Sequence, residues 1–419
     1  MKTTRNVLSL ALVLILVMLP VFAAGTKEEA QAKVALKLEQ FSGSEATLSG
    51  EALRGMIAEF EKQNPTIKVE LQTIGYDDYF TQLQSKVVGG NAADVFELNY
   101  ENFVAYASEG ALADVTKLLG DTTGFNKTAL NAFNYKGAQY GVPNSFSNVV
   151  LFYNKALFDK ANVAYPTSDW TWQDVEAASR KIMALDKNIW GFYRPFSFHE
   201  FYKGAAQNGG SLMNADRTSF TVNLDQNVEA ATLMAGWQKD SKIMPTEADM
   251  AGMGDWDLFK SGRLGMIVTG IWAFADFSAN CPFAWDIAIE PGNVQKATHF
   301  FSNAYVVSAT SKHPGEAAKL AAFLAGSKEA TKLRVEASWE LPPVTYPEII
   351  ERYLSITPPE NREAVFASLD YLVTPPVSIQ QAEMQAIIEN YLGQILSGKQ
   401  SAKAALDACQ KELERKISL

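Results

Sequence analysis

From residue 34 onward the chain changes hydrophobic period repeatedly. In "KVALKLEQF" the apolar positions Val34, Leu36 and Leu38 alternate, the period of a strand. In "LRGMIAEFEKQNP" Leu53, Met56, Ile57 and Phe60 recur at helical spacing, and Asn64-Pro65 ends the run. "TIKVELQTI" returns to alternation at Ile67, Val69 and Leu71, and "YDDYFTQLQSKVVGG" puts Tyr76, Phe80, Leu83 and Val87 on one helical face. "ADVFEL" reads as a short buried strand, followed by a helix through Phe103 and Tyr106. The order βαβαβ predicts an α/β fold with a parallel sheet and right-handed crossovers.

The pattern continues to the C-terminus. Helices are expected in "TSDWTWQDVEAASRKIMALD", "FHEFYKGAAQNGG" and "NVEAATLMAGWQKD", and strands in "IWGFYRP", "LGMIVTG", "WDIAIEP" and "NAYVVSAT". From Pro347 the chain reads as almost wholly helical, most clearly where Met384, Ile387, Ile388, Tyr391 and Ile395 share a face. One stretch breaks the pattern: "GVPNSFSN" at 141–148 is polar, proline-stiffened and uncharged, and reads as a loop or crossing between elements.

Open α/β sheets bind ligands beyond the carboxyl ends of their strands, where strand order reverses. That rule singles out "FSGSE" (41–45), "IGYDD" (74–78) and "ELNYEN" (97–102), which bring Ser44, Glu45, Tyr76 and Asn99 to the candidate site. Ser44, Asp77 and Asp78 are equally suited to capping helices, and one residue can do both.

Composition narrows the function. With 419 residues, 47% apolar, the chain can bury more than one core, and two or three lobes are expected. A net charge of −10 with no basic run argues against a nucleic-acid partner. The N-terminal "MKTTRNVLSLALVLILVMLPVFA" has Lys2 and Arg5 before an apolar run from Val7 to Leu19, the layout of a secretory signal peptide cleaved after Ala23. That run is too short for a comfortable membrane span. With no cysteine near the cut, a lipid anchor is not expected, and residues 24–33 read as a polar tether. Cys281 and Cys409 would enter an oxidising compartment, where a disulfide is open to them. Cys409 falls on the apolar stripe of a final helix with Leu406 and Leu413, so a buried free thiol is the preferred state.

No catalytic or metal-binding pattern emerges. There is no GxSxG or phosphate-cradling GxxxxGK[ST], and His199, His299 and His313 lack ligand spacing. Asp255 and Asp257, near a helix start, read as solvated or capping rather than as a catalytic carboxylate pair. Neither an enzyme activity nor a cofactor is expected.

The stretch "YGVPNSFSNVVLFYNKALFDKANV", with "FEKQNPTIKVELQTIGYDDY", "GGNAADVFELN", "FKSGRLGMIVTGIWAF" and "ELPPV" in order behind and ahead of it, resembles the extracellular solute-binding proteins of ATP-binding-cassette importers, in their sugar-binding, maltose-binding-protein-like branch. The resemblance covers roughly 34–400. It implies a two-lobed periplasmic-binding-protein fold of class II, each lobe a mixed or parallel sheet flanked by helices. Lobes of 34–143 plus 303–340 and of 148–298 plus 345–419 would be joined by hinge crossings near 144–147, 299–303 and 339–345.

The same resemblance implies a sugar or oligosaccharide in the cleft, a membrane permease as partner, and a monomer free in the periplasm without stable membrane insertion. Trp272, in "TGIWAF", matches the family's Gly-Pro-Trp turn, where the indole stacks on a sugar; Ile271 replaces the proline. Asn99 stands where the family often has aspartate. Asn148, Phe198, His199, Glu200, Tyr305 and Trp339 complete the expected ligand-binding set, with His199 also readable as a structural histidine and Tyr305 and Trp339 as core. Two other readings stay open on these residues: a secreted carbohydrate-active enzyme, or the same fold binding a polyamine, peptide or polyol phosphate.

Overall fold

The computed structural model describes residues 34–41, 47–239, 242–344 and 346–419. The expected signal peptide and tether, and Ser44 and Glu45, lie outside them. The strands are β1 Val34–Gln40, β2 Ile67–Thr73, β3 Val95–Asn99, the short hairpin pair β4 Asn134–Tyr135 and β5 Ala138–Gln139, β6 Gly141–Ser147, β7 Val149–Asn154, β8 Trp190–Tyr193, β9 Leu264–Gly270, β10 Trp285–Ala288, β11 Thr298–His299, β12 Phe301–Val307 and β13 Leu372–Val373.

Two sheets dominate. The first has the order β2-β1-β3-β12-β6, the second β10-β7-β9-β8. The predicted βαβαβ unit is present, with β1 parallel to β2 and β3. The sheet is nonetheless mixed, because β12 runs antiparallel to both β3 and β6. In the second sheet β7 is antiparallel to β10 and β9, while β8 is parallel to β9.

Both sheets are buried on two faces, and the strand period divides the cores. Along β12, Tyr305 and Val307 join the cluster around Leu36, Phe60 and Leu320, whereas Ala304 and Val306 face Tyr79, Phe96 and Phe103. Along β7, Val150 and Phe152 meet Phe277 and Ile287, whereas Val149 and Leu151 meet Phe192 and Trp237. A further helical core forms around Phe201, Leu392 and Leu406. Cys409 is buried there, and both cysteines are free thiols. Among the described residues no helix is long and apolar enough to cross a membrane.

The uncharged stretch 141–148 is not a loop. It forms β6, buried at nearly every position, and passes into β7 at Asn148. Proline is tolerated because β6 is the edge strand of its sheet. The polar side chains find partners inside the protein, which is why sequence polarity misled. Opposite Asn303 and Ala304 the register shifts, and Asn144 is the extra residue of a bulge. Its side chain turns inward and Nδ2 donates to Glu97 Oε1 at 2.9 Å. The segment after Pro347 is also less helical than its composition suggests, since β13 and an extended run interrupt it.

The chain returns from the second sheet to the first through β11 and β12, at Phe300. A third approach runs past Trp339, where Phe146 and Leu341 exchange two backbone hydrogen bonds of 3.0 Å.

Asn144→Ala removes a fully buried donor to Glu97 beneath these crossings. The expected cost is about 1.5–3 kcal/mol, measured by urea unfolding. A loss within 0.5 kcal/mol of zero, by the rough scale for neutral surface sites, would mean that the bulge contact does not support the fold.

Candidate functional site

A cavity of about 520 Å³ opens between the two sheets. Its walls come from strand ends, as the crevice rule requires. Phe41 follows β1, Tyr76 follows β2 and Asn99 ends β3, while His199 follows β8 and Trp272 follows β9. The size lies in the range of small-molecule sites.

On the first wall Phe41 and Tyr76 meet edge to face, with ring centroids 5.3 Å apart. Tyr76 is half exposed and lines the cavity. Asn99 caps the helix Tyr100–Ser108, its Oδ1 accepting from the Asn102 amide at 3.1 Å and from Asn102 Nδ2 at 2.8 Å. Capping and cavity lining therefore coincide at this residue. Among the described residues its Nδ2 makes long contacts of 3.5 Å, to Tyr76 and Glu101.

On the facing wall Trp272 sits in the turn Ile271–Ala273 that ends β9. Its indole lies against Gly270, where a Cβ would fall 2.0–2.2 Å from three ring carbons. Only glycine permits this seating. Ile271, standing in place of the family's proline, is buried, and its N–H donates to the Asn148 carbonyl at 3.2 Å. The turn is thus held by a hydrogen bond that proline could not make. Phe301 abuts the indole at 5.7 Å and 63°, and stacks on His299 at 4.5 Å.

Behind this wall lies a buried charged cluster. Glu200 accepts from Arg194 Nε at 2.6 Å and from Lys203 Nζ at 2.9 Å, and Lys203 also reaches Glu290 Oε2 at 2.7 Å. Burial opposes ionisation of Glu200, but Lys203 and Arg194 outweigh it and hold the carboxyl well below its usual range. His299 touches Glu200 Oε1 through Nε2 at 3.1 Å and Tyr202 Oη through Nδ1 at 2.7 Å. Burial and the Lys203 charge push this imidazole down to about 3, so it is neutral. Nε2–H then donates to Glu200 and Nδ1 accepts from Tyr202.

One ion pair joins the walls. His199 Nε2 lies 3.1 Å from both oxygens of Glu101. Burial disfavours the imidazolium, yet Glu101 more than compensates and the His199 pKa is raised.

The expected set is therefore divided. Tyr76, Asn99, His199, Glu200, Trp272 and Trp339 line one cavity, with the Arg334 guanidinium 4.1 Å above the Trp339 ring. Asn148, Phe198 and Tyr305 do not line it. Asn148 is fully buried and its Nδ2 donates to the Val365 carbonyl at 2.8 Å, because the crossing needs its amide internally. Tyr305 is fully buried and donates to Gln40 Oε1 at 2.8 Å. Phe198 points into the helical core.

Sequence reasoning did not single out Phe301, Glu101, Asp255 or Glu340, all of which line the cavity. Glu101 was within a flagged loop and Glu340 beside a flagged tryptophan. Nothing local marks Phe301, and Asp255 read as solvated. No three His, Cys, Asp or Glu side chains among the described residues are grouped to hold a metal.

The chain matches the bacterial extracellular solute-binding protein family over residues 44–331. It is a member of that family, whose proteins bind solutes. A putative binding protein of Brucella abortus is 25% identical over 274 residues, covering 63% of this chain and 66% of that one. The galactooligosaccharide-binding protein of Bacillus subtilis is 24% identical over 93% of this chain and 92% of its own length. Among solved structures, the substrate-binding protein Lmo0181 of Listeria monocytogenes, in complex with cycloalternan, superposes with a TM-score of 0.88. It is 46% identical, with 91% of this chain and 98% of that one covered. The two-lobed fold is that of these periplasmic binding proteins.

Two outcomes follow from the geometry. Gly270→Ala should displace the indole and cost about 1–3 kcal/mol of stability, with altered tryptophan emission in the folded protein; unchanged emission and stability would contradict the seating described. Because His199 has a raised pKa when folded, its contribution is present below the unfolded value of about 6.5 and is lost as pH rises through the folded value. The melting temperature gap between the wild type and His199→Gln should be larger at pH 6 than at pH 9, and an equal gap would refute the ion pair.

Proposed function

We propose that this protein is the solute-binding component of an ABC-type importer, capturing an uncharged oligosaccharide between its two sheets. The observation that carries this reading is the pairing of aromatic surfaces with amides and carboxyl groups across one cavity. Tyr76 and Phe41 face it from one side, Trp272 and Phe301 from the other. Sugars offer flat C–H faces to rings and hydroxyl edges to polar groups, so both features are needed together. The 46% identity to the Listeria protein makes cycloalternan the first guest to test.

On this reading the protein is not an enzyme. It holds its guest, shifts from an open to a closed arrangement about the crossings near 144–147, 299–303 and 339–345, and releases the guest unaltered to a permease. On the same reading the lobes would be 34–143 plus 303–340 and 148–298 plus 345–419. The export signal is cleaved after Ala23, and the mature chain is a monomer that diffuses in the periplasm. Some relatives are anchored differently: a maltooligosaccharide-binding protein of Streptococcus pneumoniae, 23% identical, is a lipoprotein.

Calorimetry with cycloalternan, maltotetraose and galactooligosaccharides should find one of them binding stoichiometrically and recovered intact. Trp272→Ala should weaken that binding at least tenfold, about 1.4 kcal/mol. Small-angle scattering should show a smaller radius of gyration at saturation. Turnover of the sugar would favour a carbohydrate-active enzyme, and undiminished affinity would remove Trp272 from the site.

A further inference from the structure

The cavity wall contains four carboxylate side chains and no lysine or arginine among its described residues. The four are not equivalent. Glu101 is matched by His199, and Glu200 by Arg194 and Lys203. Glu340 is almost fully buried and receives the Ser147 hydroxyl at 3.3 Å. Asp255 differs from all three, being partly exposed to the cavity with no ion pair among the described residues.

The surroundings of Asp255 hold it in place without satisfying it. Its Oδ1 accepts from the Trp256 amide at 2.9 Å. The Trp256 indole donates to Thr269 Oγ1 at 3.1 Å, and Thr269 belongs to β9, the strand that ends at Trp272. The nearby Lys260 is engaged by Asp257 at 3.1 Å and Asp276 at 2.9 Å, not by Asp255. Burial pushes the Asp255 carboxyl upward, opposed by the Trp256 amide, and Asp257 adds to the rise. A carboxylate in that setting has acceptor capacity left over.

We infer that Asp255 is a specificity-determining residue of the cleft: it accepts hydrogen bonds from the hydroxyl groups of a neutral guest and repels guests carrying carboxylate or phosphate. This rests on the oligosaccharide reading above and adds the charge class of the guest and the residue that sets it. A hydroxyl donates to a carboxylate in a charge-assisted bond stronger than one to a neutral acceptor. An anionic substituent brought to the same place meets a like charge, and no lysine or arginine on the described wall offsets it. The discrimination is thus both attractive and repulsive.

The test uses the full mature chain at low salt, by calorimetry. The probes are cycloalternan or maltotetraose, whichever binds, and the same sugar with primary alcohols oxidised to carboxylates. Wild type should prefer the neutral probe by roughly a hundredfold or more, about 2.8 kcal/mol by the tenfold-per-1.4 kcal/mol scale. Asp255→Asn should lose about tenfold for the neutral probe, gain for the oxidised one, and so narrow the preference. Should the variant fold poorly, wild type alone decides: added salt should improve its affinity for the oxidised probe and leave the neutral one unchanged. Neutral binding unaffected by Asp255→Asn, or a salt-independent affinity for the oxidised probe, overturns this inference and leaves the oligosaccharide reading intact. Failure of wild type to bind either neutral sugar overturns both.

Discussion

The arrangement depends on how the chain passes between its two sheets without leaving polar backbone unpaired. One hydroxyl ties the two passages together. Thr298 Oγ1 accepts from the Val149 N–H at 3.1 Å and donates to the Val149 carbonyl at 2.6 Å, so the start of β7 and the short β11 are held side by side. The Asn148 carbonyl accepts from Ile271, and the Phe300 N–H donates to Val373. Buried backbone groups need such partners. Because Ile271 is one of them, the bonds that stabilise the passage also orient the turn carrying Trp272. The floor of the cavity and its aromatic wall are one construction.

The second sheet's wall gains further definition from charge. Arg194, Lys203, Glu200 and Glu290 are all buried, an arrangement in which desolvation is offset only by close mutual contacts. Gln207 completes it by donating to Glu290 Oε1 at 2.9 Å and accepting from Arg194 and Trp172. Such a cluster tolerates few alternative geometries. It keeps His299 neutral and in one orientation, and His299 in turn stacks on Phe301, which abuts Trp272. A line of contacts therefore runs from a buried ionic centre to the cavity surface. The rings and acceptors that line the cavity have positions settled by interactions behind the wall.

The first sheet's wall is built on lighter terms. Phe41 and Tyr76 pack on each other at the rim, and Tyr76 is half exposed. Asn99 divides its amide between a helix cap and the cavity. Contact with the opposite wall comes through Glu101 and His199, and through Arg217 Nη1, which reaches Tyr100 Oη at 3.4 Å. Among the described residues few polar links of this kind cross the cavity, in keeping with a cleft whose walls are fixed internally.

Much of this was written in the order of hydrophobic periods. The βαβαβ beginning, the strand ends at Asn99 and Gly270, and the capped helices follow from local spacing, because side-chain burial on a strand or helix repeats with a fixed period. The placement of Tyr76 and Asn99 at one cavity followed from the rule for strand carboxyl ends, and that of Trp272 from the family resemblance. Tertiary structure decided what local chemistry leaves open. Residues 141–147 look like a loop because they are polar, yet fold as a buried strand in which Asn144 Nδ2 donates to Glu97 and the Ser145 hydroxyl accepts from Asn303. Asn148, Phe198 and Tyr305 have the right side chains for a guest but point into interior contacts. Phe301 carries no local mark, and Asp255 reads locally as a solvated or capping carboxylate; both line the cavity because distant strands and turns converge there. Sequence by itself determined most strands and helices whose apolar positions repeat with a clear period, since that depends on neighbours along the chain. Which polar groups meet each other and which are left for a ligand depends on neighbours in space, and only the assembled sheets supply those.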